Sequence, residues 1–294
     1  MIFPLDELPA TIQFTIPENA STTAQFPIQN PEKLIFERVP ISFEEFQGKF
    51  NLVHKALHYG NSFLLNLCFR TPVQCNLELE EIFHRANAKY KLFLKDSFVC
   101  FSPETFVTIR EGVIRSYPMK GTISADVPNA EEVLLSDQKE LAEHFTIVDL
   151  LRNDLSMIAT EVHVPKFRYL DLLQTNHGAL FQMSSIVEGK LPKDYQSQLG
   201  TLLRKLLPAG SISGAPKPKT VEIIREAEQM DRGYYTGIFG VFDGENFDSA
   251  VMIRFLEQEA DGSLYYRSGC GITAQSQAAA EYDEYLKKIY VPIS

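Results

Sequence analysis

Apolar residues return every three to four positions in several long stretches of the chain. The first stretch runs from Ser42, a suitable N-cap with Glu45 three positions on, to Gly60, a suitable helix end. This spacing predicts a helix with one buried face. Further helices are predicted at residues 77–88, 137–155, 196–206, 216–228 and 278–290.

Short apolar runs bounded by turn residues lie between these helices and predict strands. The runs cover residues 11–16, 34–38, 62–70, 90–95, 98–101, 106–110, 113–117, 158–164, 182–187, 234–242, 249–256 and 264–267. Strands and helices are interspersed, and hairpin signals are frequent. The pattern therefore predicts one α+β domain whose mainly antiparallel sheets are flanked by helices.

The first candidate for chemistry, Lys120, follows a predicted hairpin over residues 106–117. Gly121 comes next and allows a sharp turn or a close backbone approach, which leaves Lys120 at a strand end. In a strict hairpin register, Glu104 and Lys120 point to opposite faces of the sheet. A one-residue bulge, which Gly112 suits, would bring both to one face. The sequence permits either arrangement.

Other charged residues stand where they could bind a ligand. Glu143 lies in the helix predicted at 137–155, whereas Glu284 and Lys288 share one face of the last helix. Two glutamates on separate helices suit Mg²⁺, although a Glu–Lys pair one turn apart is equally ordinary on a helix surface. Arg254 ends an apolar strand. The small-residue loop at 208–217 leads into a helix and offers N–H groups to an anion, without the spacing of a Walker loop.

Composition narrows the range of partners. The 294 residues carry a formal net charge of −10, which argues against nucleic acid or an anionic membrane as the main partner. No segment of about 20 apolar residues could span a bilayer. The four cysteines show no C-x-x-C spacing and no signal peptide is evident, so we expect free cysteines and a cytoplasmic protein.

Six motifs lie in a fixed order between residues 100 and 290. They are Ser102-Pro103-Glu104, Pro118 to Thr122, Glu143 to Asp154, Gly210 to Lys217, Arg232 to Gly240, and Gly269 to Lys288. Jointly, in order and approximate spacing, they resemble the chorismate-utilising enzymes, which include anthranilate synthase component I, aminodeoxychorismate synthase component I and the isochorismate and salicylate synthases. The resemblance implies an anthranilate-synthase component I-like fold, with residues 1–294 as a single chorismate-binding catalytic domain.

The resemblance also implies roles for the charged residues. Glu104 matches the general acid near the ring hydroxyl of the substrate. Glu143 and Glu284 match the glutamates that hold Mg²⁺, which binds the ring carboxylate of chorismate. Further positions match substrate-binding residues, partly through backbone contacts or through the loop that lines the site. These are Gly121, Ser211, Ser213, Tyr235, Arg254, Gly269, Gly271 and Lys288.

Lys120 indicates the subgroup, because anthranilate synthases generally carry alanine at this position and aminodeoxychorismate synthases carry lysine. In the mechanism that the resemblance implies, the lysine attacks C2 of chorismate and expels the C4 hydroxyl with help from the acid. Ammonia then adds at C4 and releases the lysine. This chemistry requires a neutral amine, and we expect burial, Mg²⁺ or Arg254 to depress the pKa of Lys120.

The implied function is that of aminodeoxychorismate synthase component I, which makes 4-amino-4-deoxychorismate for 4-aminobenzoate and folate synthesis. A glutamine amidotransferase partner would supply the ammonia, since no Cys/His glutaminase site is recognisable, and a separate lyase would release pyruvate. The alternatives are anthranilate synthase component I, which Lys120 disfavours, and a non-catalytic chorismate-binding homologue. Retention of Glu104, Lys120, Glu143 and Glu284 disfavours the latter.

The chain departs from the family pattern in three respects. It is shorter than most members at the N-terminal side, where a tryptophan-binding region would lie, so we do not expect tryptophan feedback. Leu64 stands where amine-adding members usually have glutamine, and water-adding members a lysine base. Phe181 stands where many members carry a histidine that contacts the substrate.

Overall fold

The computed structural model of the protein describes residues 33–175 and 178–293, so the strand predicted at 11–16 lies outside the described residues. The helices of this part are α1 (Phe43–His58), α2 (Leu79–Arg85), α3 (Ala130–Ser136), α4 (Gln138–Ser156), α5 (Tyr195–Leu206), α6 (Gly210–Ser213), α7 (Lys217–Glu228) and α8 (Ala278–Lys287). The strands are β1 (Phe36–Arg38), β2 (Leu64–Cys75), β3 (Tyr90–Leu94), β4 (Phe98–Ser102), β5 (Thr105–Arg110), β6 (Val113–Ser116), β7 (Met119–Ser124), β8 (Thr160–Thr175), β9 (Gly178–Lys190), β10 (Gly214–Ala215), β11 (Ile238–Phe242), β12 (Phe247–Val251), β13 (Phe255–Gln258) and β14 (Leu264–Thr273).

The predicted helices are found within a few residues of their expected bounds. Ser42 caps α1, and its hydroxyl accepts a hydrogen bond from the N–H of Glu45 at 3.2 Å. Two short helices, α3 and α6, were not predicted. Among the described helices, none combines the length and the apolar character needed to cross a bilayer. The four cysteines all lie in this part of the chain and are free, as predicted.

The described strands form two seven-stranded sheets, and every pairing between them is antiparallel. Sheet A has the order β1-β2-β14-β13-β4-β3, with β10 on β2; sheet B has the order β11-β12-β5-β6-β9-β7, with β8 on β9. Helices α1, α7 and α8 pack against β2 and β14 of sheet A, whereas α4 packs against sheet B. The prediction of an α+β fold with mainly antiparallel sheets and flanking helices is confirmed.

Two crossings between the sheets lie side by side. The chain leaves β4 of sheet A through Glu104 to enter β5 of sheet B, and it leaves β12 through Arg254 to enter β13 of sheet A. The N–H of Val251 donates to the carbonyl of Glu104 at 3.2 Å, and the N–H of Phe101 donates to the carbonyl of Arg254 at 3.1 Å. Glu104 and Arg254 are therefore fixed where the two sheets meet.

The backbone around Lys120 differs from the predicted register. β5 and β6 form the expected hairpin, but β7 pairs with β9 rather than continuing opposite β5. The strict register, in which the chain after β6 continues opposite the start of β5, is therefore wrong beyond the hairpin. An irregularity in the β7–β9 pairing lies between Met119 and Thr122, so it falls at Lys120 and Gly121 and not at the hairpin turn.

Candidate active site

A cavity of about 930 Å³ lies between the two sheets, beside the crossings of Glu104 and Arg254. Its wall contains residues of β2 and β14 from sheet A, β7 and β9 from sheet B, and helices α4, α6 and α8. The predicted site residues line this cavity with the exception of Ser213. Those that line it are Glu104, Lys120, Gly121, Glu143, Ser211, Tyr235, Arg254, Gly269, Gly271, Glu284 and Lys288.

Glu104 is a buried carboxyl group in the cavity wall. Burial raises the pKa of Glu104 above its usual value, although the Ser211 hydrogen bond and the charges of Arg254 and Lys288 partly oppose this effect. The Ser211 hydroxyl donates to Oε1 of Glu104 at 2.5 Å. A raised pKa favours the protonated form of Glu104, which is the form that a general acid needs.

Arg254 lines the cavity and carries one unused donor. Its backbone adopts a φ of 54°, in the left-handed region that a non-glycine residue seldom occupies. The buried Nε of Arg254 has no hydrogen-bond partner among the described residues. A buried guanidinium N–H that lacks a partner is costly unless a ligand completes it, which suits a bound carboxylate.

Lys120 lies in an acidic part of the cavity. Its Nζ is 2.8 Å from Oε2 of Glu143. Burial alone would lower the pKa of Lys120, but the charges of Glu143, Glu284 and Glu140, with the Glu143 hydrogen bond, raise it above the usual value. Burial therefore does not depress the pKa of Lys120 as expected, because the neighbouring carboxylates outweigh it. The expected effect of Mg²⁺ on this pKa stays a prediction.

A second ion pair joins Glu284 and Lys288. Their Oε1 and Nζ atoms lie 2.5 Å apart, and Lys288 also donates to the carbonyl of Gly269 at 3.0 Å. Burial would raise the pKa of Glu284, but Lys288 first and then Lys120 and Arg254 hold it below the usual value. Glu284 is thus held as a carboxylate, whereas Glu104 is shifted towards the acid form.

The donor set of Glu143 and Glu284 fits a magnesium ion. The two carboxylates line the same cavity and come from helices α4 and α8. Each forms an ion pair with a lysine ammonium group, so each already has a cation beside it. Mg²⁺ commonly takes one or two carboxylates and keeps several waters. Within residues 33–175 and 178–293, no three His, Cys, Asp or Glu side chains cluster into a ready-made metal site. The set therefore suits a metal whose coordination is completed by water and substrate.

Two glycines are required by close neighbours. Gly121 has a φ of 87°, and a Cβ there would lie 2.9 Å from Oε2 of Glu140. A Cβ at Gly269 would lie 2.5 Å from the carbonyl oxygen of Leu67. Both positions leave the backbone open to the cavity, which suits backbone contacts with a ligand.

Two expectations differ from the structure. Ser213 does not line the cavity, because its buried hydroxyl donates to the carbonyl of Ala209 at 2.8 Å within α6. Leu180 and Gln182 line the cavity but Phe181 does not, because alternate residues of a strand face opposite sides of the sheet. Gln182 is therefore the β9 side chain placed to contact a substrate.

The sequence reasoning also missed Glu140 and Asn66, which line the cavity. Glu140 precedes Glu143 by three residues on α4, so helical spacing could have shown that both face the same way. Asn66 follows Leu64, which also lines the cavity, by two positions on β2. The period of a strand could have identified it.

Comparison with known proteins gives the same family as the motifs. A family model described as chorismate binding enzyme matches residues 10–294. The chain is 55% identical to "Uncharacterized PabA-like protein" of Haemophilus influenzae, over 90% of this chain and 80% of that protein. It is 32% identical to aminodeoxychorismate synthase component 1 of Klebsiella aerogenes, over 98% of this chain and 64% of that protein. It is 35% identical to anthranilate synthase component 1 of Arthrobacter globiformis, over 81% of this chain and 48% of that protein.

The solved structures agree on the fold. Anthranilate synthase component I from Streptococcus pneumoniae superposes with a TM-score of 0.74 at 28% identity, covering 87% of this chain and 58% of that chain. The predicted component I-like fold is therefore confirmed. By the family match over nearly its whole length, the chain belongs to the chorismate binding enzymes.

Proposed function

We propose that this chain is aminodeoxychorismate synthase component I, which aminates chorismate at C4 to give 4-amino-4-deoxychorismate for 4-aminobenzoate and folate synthesis. The observation that carries the proposal is Lys120, an amine inside the cavity beside Glu143. Lys120, Arg254 and Lys288 also place three cationic groups in the cavity wall, to which the carboxylates of dianionic chorismate could bind. Relatives of both aminating types match at similar identity, so the site and not overall similarity favours this reaction.

The side chains divide the proposed chemistry among them. Lys120 Nζ gives one proton to solvent water and forms a bond to C2, while the two conjugated ring double bonds shift and the C4–O bond breaks. Glu104 gives its proton to the departing hydroxyl, which leaves as water. Ammonia then bonds to C4, the ring double bonds return to their original positions, and the C2–N bond breaks. Glu104 takes the proton that ammonia loses. Arg254 holds a substrate carboxylate throughout through its free donor.

Two further components belong to the proposal. Glu143 and Glu284 would hold Mg²⁺, which supplies positive charge for the ring carboxylate of chorismate. A glutamine amidotransferase subunit would deliver the ammonia, in keeping with the name "component 1" of the relative from Klebsiella aerogenes. The free cysteines support a cytoplasmic location for such a pair.

The test is product analysis. Purified protein is incubated with chorismate, Mg²⁺ and an ammonium salt, and the products are identified by mass spectrometry. We expect 4-amino-4-deoxychorismate; anthranilate would assign the chain to the other aminating type, and no turnover would indicate a chorismate-binding homologue. The variant Lys120→Ala should be slow and should form some product aminated at C2, because nothing then occupies that carbon. If it makes the C4 product at the wild-type rate, Lys120 is neither nucleophile nor selector.

A further inference from the structure

A buried ion pair lies behind the wall of the cavity, between Arg232 and Glu228 at the end of α7. The guanidinium and the carboxylate make two bonds, Nη2 to Oε1 at 2.6 Å and Nε to Oε2 at 3.0 Å. The side chain of Glu228 is 1% exposed and that of Arg232 is 16% exposed. Neither residue lines the cavity. We call this pair the Arg232 clamp.

The remaining donors of the Arg232 clamp join two separate parts of the cavity wall. Nη1 of Arg232 donates to the carbonyl of Ile212 in α6 at 3.1 Å, and Nη2 donates to the carbonyl of Asn66 in β2 at 2.7 Å. Oε1 of Glu228 also accepts the N–H of Cys68 at 2.8 Å. One planar guanidinium thereby joins α6 to β2, beside the pairing of Gly214 in β10 with Leu65 in β2. A lysine ammonium group could not make these bonds with the same geometry.

The contact with α6 leads directly to the proposed acid. Ile212 follows Ser211, whose hydroxyl donates to Glu104. We propose that Arg232 is a positioning residue that holds α6 so that Ser211 keeps its hydrogen bond to Glu104. The inference rests on the proposed function in one respect, the role of Glu104 as general acid. The position of α6 itself does not depend on that role.

The expected signature is a change in the pH profile. Ser211 favours the ionised form of Glu104, and so do the charges of Arg254 from the β12–β13 crossing and Lys288 from the end of α8. Losing the Ser211 bond raises the pKa of Glu104, so the acid stays protonated to higher pH. We expect Arg232→Lys to lower kcat about tenfold with little change in KM, since positioning is worth such factors. The high-pH side of its profile of kcat against pH should move to higher pH, as it should in Ser211→Ala. We call this side of the profile the basic limb.

The test combines both changes. In the double variant Arg232→Lys/Ser211→Ala the limb should move no further than in Ser211→Ala, because both changes act through one bond. Arg85→Lys is the matched control, because Arg85 is 12% exposed, pairs with Glu81 on α2 and does not line the cavity. It should leave kcat and the limb unchanged. An unmoved limb in Arg232→Lys, or shifts that add in the double variant, would overturn the proposal.

Hydrogen–deuterium exchange gives a readout that does not need turnover. Backbone exchange over residues 208–214 should be faster in Arg232→Lys than in wild type and unchanged in Arg85→Lys. If wild type does not turn over chorismate, the proposed function fails, and this measurement alone decides whether Arg232 positions α6. Unchanged exchange in Arg232→Lys would then overturn the inference.

Discussion

The Arg232 clamp and the two ion pairs in the cavity differ in what surrounds them. In the Arg232 clamp the carboxylate is 1% exposed and the guanidinium makes further bonds to two backbone carbonyls. The side chains of the Lys120–Glu143 pair in the cavity are 33% and 14% exposed, and those of the Lys288–Glu284 pair are 26% and 43% exposed. The clamp is thus largely enclosed by protein, whereas the cavity pairs face open space.

This difference separates structural charges from exchangeable ones. A buried charge that loses its partner is left without water to replace it, so a pair like the clamp cannot easily change partners. A cavity charge can take a substrate group, a metal or water in exchange. The same chemistry, a carboxylate beside a cation, therefore holds the walls together in one place and is available for a ligand in the other.

The largest effect is expected from breaking the clamp. Glu228→Gln leaves Arg232 buried without its counter-charge and should lower the free energy of unfolding by about 3–5 kcal/mol. Urea unfolding of the variant and of wild type measures this loss. Glu81→Gln, which breaks a more exposed pair on α2, should cost under about 1 kcal/mol. Equal losses of unfolding free energy in both variants would show that the clamp stabilises the fold no more than the exposed pair on α2 does.

A smaller effect, on turnover and not on the free energy of unfolding, is expected when Glu284 is replaced. Glu284→Ala removes one of the two proposed magnesium ligands and should lower kcat about a hundredfold or more at ordinary Mg²⁺. The free energy of unfolding should change little, because Glu284 is 43% exposed. Steady-state assays and urea unfolding on the same preparation separate the two effects. Full activity of this variant would remove Glu284 from the metal site.

A variant of Arg254 tests whether its guanidinium group binds substrate. Arg254→Lys keeps the charge but cannot make two parallel hydrogen bonds to a carboxylate, so KM for chorismate should rise about tenfold. Arg115→Lys is a control, because Arg115 pairs with Glu188 on sheet B and does not line the cavity. Unchanged kinetic constants in Arg254→Lys would make Arg254 a structural residue.

The elements of the fold that depend only on the local spacing of residues were predicted well from the sequence. Long helices with an apolar face, such as α1, and the hairpin β5–β6 follow from local spacing alone. The site residues were found through motifs, which carry the family's geometry without deriving it. The pairing partner of β7 could not be predicted, because a strand's partner depends on contacts far along the chain.

Electrostatics was the least predictable part. The pKa of Lys120 depends on Glu143, Glu284 and Glu140, which come from two helices far apart in the chain. From the sequence, burial was the visible effect, and it has the opposite sign. The motif comparison placed the substrate-contacting position of the family at Phe181, whereas the β9 residues that line the cavity are its neighbours Leu180 and Gln182. A difference of one residue exchanges the two faces of a strand.

The smallest effect is expected on the free energy of unfolding when Lys120 is replaced. Lys120→Met keeps the length of the side chain and removes the ammonium group beside Glu143. Because the Lys120 side chain is 33% exposed to the cavity, water can replace it, and the free energy of unfolding should fall by less than about 1 kcal/mol. Lys288→Met should behave alike, since its partner Glu284 is more exposed than Glu143. Urea unfolding of both variants beside Glu228→Gln gives the comparison directly. A loss of about 3 kcal/mol or more in Lys120→Met, the range of a broken buried pair, would mean that this pair is as structural as the clamp. The distinction between fixed and exchangeable charges would then fail at the residue on which the proposed chemistry depends.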